Sequence, residues 1–456
     1  MIADSAMSGL DPAWAWAPYR PDARCPWNLR RAAHLYRRAA FGASWGQLQQ
    51  ALKDGPARAG DRLIRPEADV TAFLETFDHY EDEAIDPGSD SADTFREWWL
   101  RRMIQTPHPL LEKMTLFWHG HFAARSFPVK NGRLMARYVR SLRTHALGRF
   151  QPLLAAVVAD PAVRLSYNTA ANRRGMPDIS LARSLLEQFT LGPGVATERD
   201  VSETARALSG LTVLRNQSRL LARNHDGGTK TILGETGNWT EADVVRLASK
   251  HSATARHLAR LLYRWFISEA DEPTDALLAP LATSFSRDGD PGKLVETVLR
   301  SNLFFSDAAL GRRIKSPLEF ALGMIVGLEG LVSTSRLAAD LDGLGQDLAE
   351  PPTSAGWQGG TAWINPSTVV GRANLAASLL SSGGPYGAGL DPRKVAKAHG
   401  FGSADKAARW LIDLLIQGDV PASVQRLLVE SARQGQSETL RRLTHTIVTL
   451  PEYQLA

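Results

Sequence analysis

The stretch "TLFWHGHFAARS" (115–126) sets His119 and His121 one glycine apart, behind a tryptophan and ahead of a phenylalanine. Imidazoles so placed could ligate a metal, move protons or fill a core. An α-helix turns about 100° per residue, so residues two apart point about 200° apart and cannot share one ion. A zinc helix needs its histidines four apart, and the positions four from His121 hold Phe117 and Arg125. Only a helix break at Gly120 would bring the rings together. Met114, Phe117, Trp118 and Phe122 recur at helical spacing with His121. His121 is therefore expected to be largely buried, with a ring N–H on a backbone carbonyl, and His119 to point elsewhere.

Three further groups could carry chemistry. In "ISLARSLLEQFTLG", Arg183 and Glu187 stand four apart, the spacing of an ion pair along one helix face, ahead of a stop at Gly192 and Pro193. In "NHDGGTKTILG", His225, Asp226 and Lys230 surround Gly227 and Gly228 and could hold an anion or aim a proton donor; a plain polar hairpin has the same composition. In "PPTSAGWQGGTAWINPST", Trp357 and Trp363 flank Gly359 and Gly360, where the backbone can approach a neighbour closely. Mixed indole faces, charge and free backbone are what ligand sites usually contain. Both loops are expected to meet near His121 and line one cleft. No G-x-S-x-G elbow, P-loop or G-x-G-x-x-G fingerprint occurs.

The elements that must position these groups read as helices. "SADTFREWWLRRMIQT" lines up Phe95, Trp98, Trp99, Leu100, Met103 and Ile104 as one apolar stripe. Thr197 with Asp200 and Thr240 with Asp243 have the spacing of a capping box, and Gly210 suits a left-handed helix stop. Strand patterns are nearly absent apart from "TKTIL" (229–233), which leaves an all-α chain with at most a short hairpin. Residues 77–93, 214–239 and 351–368 break the helical pattern and read as long loops, the first of them acidic and mobile. The "SSGGPYGAGLDP" linker divides the chain into an N-terminal arm (1–26), a main helical domain (27–385) and a C-terminal helical extension (386–456).

Composition narrows the classes. With 456 residues, 44% of them hydrophobic, the chain can bury a large core. Its single cysteine, Cys25, excludes an internal disulfide and a cysteine-based zinc site. The net charge of +5 comes from 43 Arg and 10 Lys interspersed with acids, not from a dense block, so nucleic acid is not an expected partner. No run reaches the ~18 apolar residues of a membrane span. No signal peptide is recognisable, and a cytoplasmic protein is expected.

Taken in order, "LYRRAAFGAS", "EKMTLFWHGHF", "LARSLLEQFTLG", "ERDVSETARALSG", "HDGGTKTILG", "SATARHLARLLYRWF", "KSPLEF" and "PPTSAGWQGGTAW" resemble the motifs of the bacterial domain-of-unknown-function family number 1800. The resemblance runs from about Leu35 to Leu380 and continues faintly to "LPEYQL". It implies no established activity, and a partner in the sulfatase- or phosphatase-like exported protein often encoded next door. It marks His119, His121, Arg183, Glu187, His225, Asp226, Lys230, Lys315, Glu319, Trp357 and Trp363. This chain departs from the family where relatives read Asn-Glu-Asn and it reads Asp178, Ile179 and Ser180. Ser184 likewise stands where relatives have a glutamate.

These residues leave two function classes. One is a helical binding or scaffold protein whose Gly/Trp loops grip a partner protein or a saccharide-type ligand, served by twelve tryptophans. The other is a metal-dependent or acid/base enzyme using His121, Glu187, His225 and Asp226. The two missing carboxylates favour the first.

Overall fold

The computed structural model describes residues 9–66, 71–84, 92–433 and 438–456, with backbone alone for 78–84. These residues are 63% helical, and their strands form two separate two-stranded antiparallel hairpins, which makes the fold mostly α. Local signals place the helices. Thr197 with Asp200 and Thr240 with Asp243 form reciprocal capping boxes, each satisfying two orphan N–H groups at a helix start. Gly210 adopts φ +80° after the first of these helices.

Two of the expected loops differ. Residues 77–84 continue a helix, Thr71–Ala84, rather than a surface loop, while 85–91 lie outside the described residues. The 214–239 stretch is largely ordered as hairpins. Leu211–Leu214 pairs with Gln217–Leu220 through Arg215 and Asn216, both at positive φ, and Lys230–Ile232 pairs with Glu235–Gly237 through Leu233 and Gly234. Positive φ at both turn residues matches the twist of a tight hairpin, and a polar sequence need not mean irregular backbone. The 351–368 segment is irregular up to Asn365, apart from one 3₁₀ turn at Gly360–Trp363, and its last three residues open helix Pro366–Leu380.

One helix, Pro109–Phe122, sits at the centre; we call it the histidine helix. It is buried on nearly every side, including its charged residues Glu112 and Lys113. Adjacent residues point to different neighbours, and these two tie the helix in two directions. Glu112 accepts from Arg102 of helix Asp93–Gln105 at 2.8 Å, from Arg143 of helix Gly132–His145 at 2.7 Å, and from the Trp99 indole at 3.2 Å. Lys113 pairs with Glu319 at the start of helix Pro317–Gly327. The apolar core is continuous, reaching from Trp16, whose indole donates to Leu277 O at 2.6 Å, to Trp410 and Tyr453 beyond residue 385. Among the described residues no helix is long and apolar enough to cross a membrane.

Burial alone would raise the Glu112 carboxyl, but Arg143 and Arg102 outweigh it and hold it ionised. Glu112→Ala leaves both guanidiniums without this shared carboxylate in a dry core. It should therefore cost about 3–5 kcal/mol in chemical denaturation, whereas a hydrated pair would cost under about 1 kcal/mol.

Candidate functional site

The histidine helix runs unbroken through Gly120 and ends at Ala123, which takes the left-handed cap at φ 42°. Its two imidazoles therefore diverge. His119 is fully buried and its Nε2 lies 2.8 Å from Leu348 O. His121 is half-buried and its Nε2 lies 3.1 Å from Phe189 O. Sequence periodicity ranks their burial the other way round; a helix surrounded on all sides has no single inner face from which to rank them. A carbonyl oxygen only accepts, so each ring must carry its proton on Nε2. Burial lowers both, His119 to about 4 and His121 to about 3, which keeps the rings neutral.

Gly120 faces the tryptophan loop. The ring of Trp357 packs on it, and a β-carbon added at Gly356 would fall 1.9 Å from Gly120 O. Gly356, at φ +76°, thus lets the loop press against the helix backbone between the two histidines. The loop then closes one side of a cleft of about 170 Å³. Phe117, His121, Trp265, Glu269, Arg313, Trp357 and Trp363 contribute to its walls. Arg313 lies over the Trp265 ring, 4.6 Å from its centroid, and 3.3 Å from Glu269 Oε1. Gly359 and Gly360 cover Glu269; a β-carbon at Gly359 would sit 3.1 Å from its Oε1. Four polar atoms buried in these walls have no hydrogen-bond partner: Nε1 of Trp265, Nε1 of Trp357, Oε2 of Glu269 and Nε of Arg313, which meets Glu269 only as an ion pair. Trp265, Glu269 and Arg313 escaped sequence reasoning. Trp265 and Glu269 lie four apart across the end of helix Ser252–Phe266, but Arg313 comes from a later segment and no motif links the three.

Arg183 and Glu187 do pair, at 3.0 Å, but the guanidinium is about a third exposed and also grips Glu198 at 2.7 Å. The pair is solvated, not a dry helix-bridging one. The helix is also unusual. Ser180–Arg183 is α, but Ser184–Thr190 winds as a π-helix, with Leu191 N bonding Leu186 O. The carbonyls of Gln188 and Phe189 fall in the last turn, where a helix offers no further N–H, and two imidazoles take them: His257 Nε2 at 3.2 Å and His121 Nε2 at 3.1 Å. At the two family departures, Ile179 is exposed and Ser184 is buried.

The "HDGGTK" loop sits against helix Glu198–Ala207, not in the cleft. Asp226 accepts from Arg206 at 2.8 Å and from Gly228 N at 2.9 Å, and these bonds lower its carboxyl to about 2. His225 Nδ1 meets Ser209 O at 2.9 Å. Lys230 is buried and donates to Gly228 O at 2.8 Å and to Asn238 Oδ1 at 3.3 Å. His225, Asp226 and Lys230 thus spend their polar atoms on the loop itself and on the neighbouring helix and its C-terminal end. The cleft thus unites His121, Trp357 and Trp363; His225, Asp226 and Lys230 do not line it, and His119, Arg183 and Glu187 lie outside its walls. Among the described residues no three His, Cys, Asp or Glu side chains converge as a metal cluster.

His119 and His121 have folded-state values below their ordinary 6.5, so the unfolded chain binds protons first as pH falls. Their contribution is complete above about pH 7 and shrinks from 6.5 down to about 4 for His119 and about 3 for His121. For His119 the slope is up to about 1.4 kcal/mol per pH unit. Denaturation midpoints at pH 7 and pH 5 should differ accordingly, and His119→Gln and His121→Gln should flatten the difference. Equal midpoints in the natural protein would mean the rings are hydrated. Gly356→Ala should displace the tryptophan loop, changing the near-ultraviolet circular dichroism and lowering the melting temperature. Gly120→Ala, whose β-carbon would lie 3.4 Å from the Trp357 ring, should do neither.

Comparison with known proteins agrees with the motifs. The family model described as "Protein of unknown function (DUF1800)" matches residues 34–455. No curated protein and no solved structure matches the chain. With nearly its whole length covered by that one model, the chain belongs to the DUF1800 family.

Proposed function

We propose that the protein is a binding protein whose cleft between the tryptophan loop and Trp265 takes one saccharide ring. The observation that carries this reading is the pairing of indole faces with unmet polar groups. The C–H faces of a sugar ring suit indole surfaces. Its hydroxyls both donate and accept, so they suit the Glu269 carboxylate, the Arg313 guanidinium and the two unpartnered indole N–H groups. The volume of about 170 Å³ is below the 300–1,000 Å³ of pockets for larger ligands, which favours a single ring or chain end. Glu269 and the indole atoms are covered, so the Gly359–Gly360 segment must shift for a ligand to reach them. Positive φ at both glycines gives that segment conformations closed to other residues.

An acid/base reading draws less support. His121 spends its N–H on Phe189, Asp226 is locked by Arg206, and Glu187 faces Arg183, each in a different place.

The test is a titration of the full chain with neutral mono- and disaccharides, monitored by tryptophan fluorescence and calorimetry. Saturable binding is expected, weakened at least tenfold by Glu269→Gln and by Trp357→Phe while the melting temperature holds. If no saccharide perturbs either signal, the reading fails.

A further inference from the structure

Behind the cleft, the ion cluster continues inward with more cations than carboxylates. Arg38, Lys113, Arg313, Lys315 and Arg372 are each at most 4% exposed, and Arg37 is half-buried beside them. Glu319 and Glu269 face the five buried cations with negative charge, and Asp419 faces Arg37, which leaves fewer carboxylates than cations. Both oxygens of Glu319 are already taken, by Lys113, Arg313 and the Ser316 N–H. Arg38 makes do with the carbonyls of Ile267 and Ala309, and Arg372 with Lys315 O and Gln454 Oε1.

Lys315 has less. Among the described residues its Nζ makes no hydrogen bond and no ion pair; it lies 3.5 Å from the centroid of the Tyr453 ring. It lines a cavity of about 30 Å³ together with Arg37, Gln417, Glu319, Tyr453 and the buried carboxyl-terminal Ala456, the remaining wall being apolar. Arg37 spends Nη1 on Gln417 and keeps Nε buried without a partner. A space of that size holds a water or a monatomic ion. Water would leave the surplus positive charge uncompensated in a dry site, which is the costly arrangement. A small anion compensates it and gives the Lys315 amine an acceptor.

We infer that this cavity is a binding site for a chloride-sized monovalent anion, held by Lys315 and Arg37. The site joins helix Leu29–Ala39, the "KSPLEF" turn and the C-terminal residues Gln417 and Tyr453, so its occupant ties distant parts of the chain together. Without an anion, burial and then the charge of Arg37 push the Lys315 amine well below its ordinary range. The site is separate from the tryptophan cleft, and its test does not depend on that reading.

Bromide, which replaces chloride and scatters anomalously, is the probe. Crystals of the full chain soaked in bromide should show an anomalous peak in the cavity, between Lys315 Nζ and the Arg37 guanidinium. In solution, replacing chloride by gluconate at constant ionic strength should lower the melting temperature by several degrees. Lys315→Met, which keeps the length and removes the charge, should lose both the peak and the chloride dependence. A cavity holding only water overturns the inference. So does a melting temperature indifferent to chloride, or an equal chloride effect in Lys315→Met.

Discussion

A carboxylate sealed from water stays ionised only if cations and N–H groups replace its hydration, and Glu319 obtains them from the histidine helix and from the turn just before its own helix. Burial alone would push its carboxyl up, but Arg313 and Lys113 outweigh that and hold it well below the usual range. Lys113 fixes the histidine helix, Ser316 fixes the start of helix Pro317–Gly327, and Arg313 carries the charge outward to Glu269 and over Trp265. The walls of the cleft are therefore set by an interaction several residues behind them. Burial lowers the Lys113 amine to about 8 against the opposing pull of Glu319, a sign of how dry this interior is.

In that setting the paired histidines take structural roles. Each holds one proton on Nε2 and gives it to a backbone carbonyl that no secondary structure satisfies. The intervening glycine matters on a third side, where the tryptophan loop crosses. Three neighbours of one helix turn thus explain the His-Gly-His spacing without a shared ligand.

What is legible in the sequence is local. Capping boxes at Thr197 and Thr240 and the stripe of Phe95, Trp98 and Trp99 depend on residues within a turn or two, and the helices obey them. The pairing of Arg183 with Glu187 is readable for the same reason, but its hydration is not, since Glu198 arrives from the next helix. Composition correctly brings Trp357 and Trp363 to His121, whereas the same argument wrongly puts "HDGGTK" in that cleft. Asp226 has its cation twenty residues back in Arg206, and no loop composition reveals that. Arg313 joins Trp265 and Glu269 only through tertiary packing.

The π-helical stretch has a consequence for how such a chain can change length. It carries one residue more than regular winding over the same span. Each extra residue rotates the downstream chain by about 100° and advances it about 1.5 Å. Deleting any residue between Ser184 and Thr190 would restore i→i−4 closure and swing the carbonyls of Gln188 and Phe189 away. His121 and His257 would then keep buried donors with nothing to accept them, and the turn at Gly192 would no longer meet His257. Insertion register and imidazole identity are thereby coupled across elements far apart in the chain. A length change here is tolerable only if both histidines change with it.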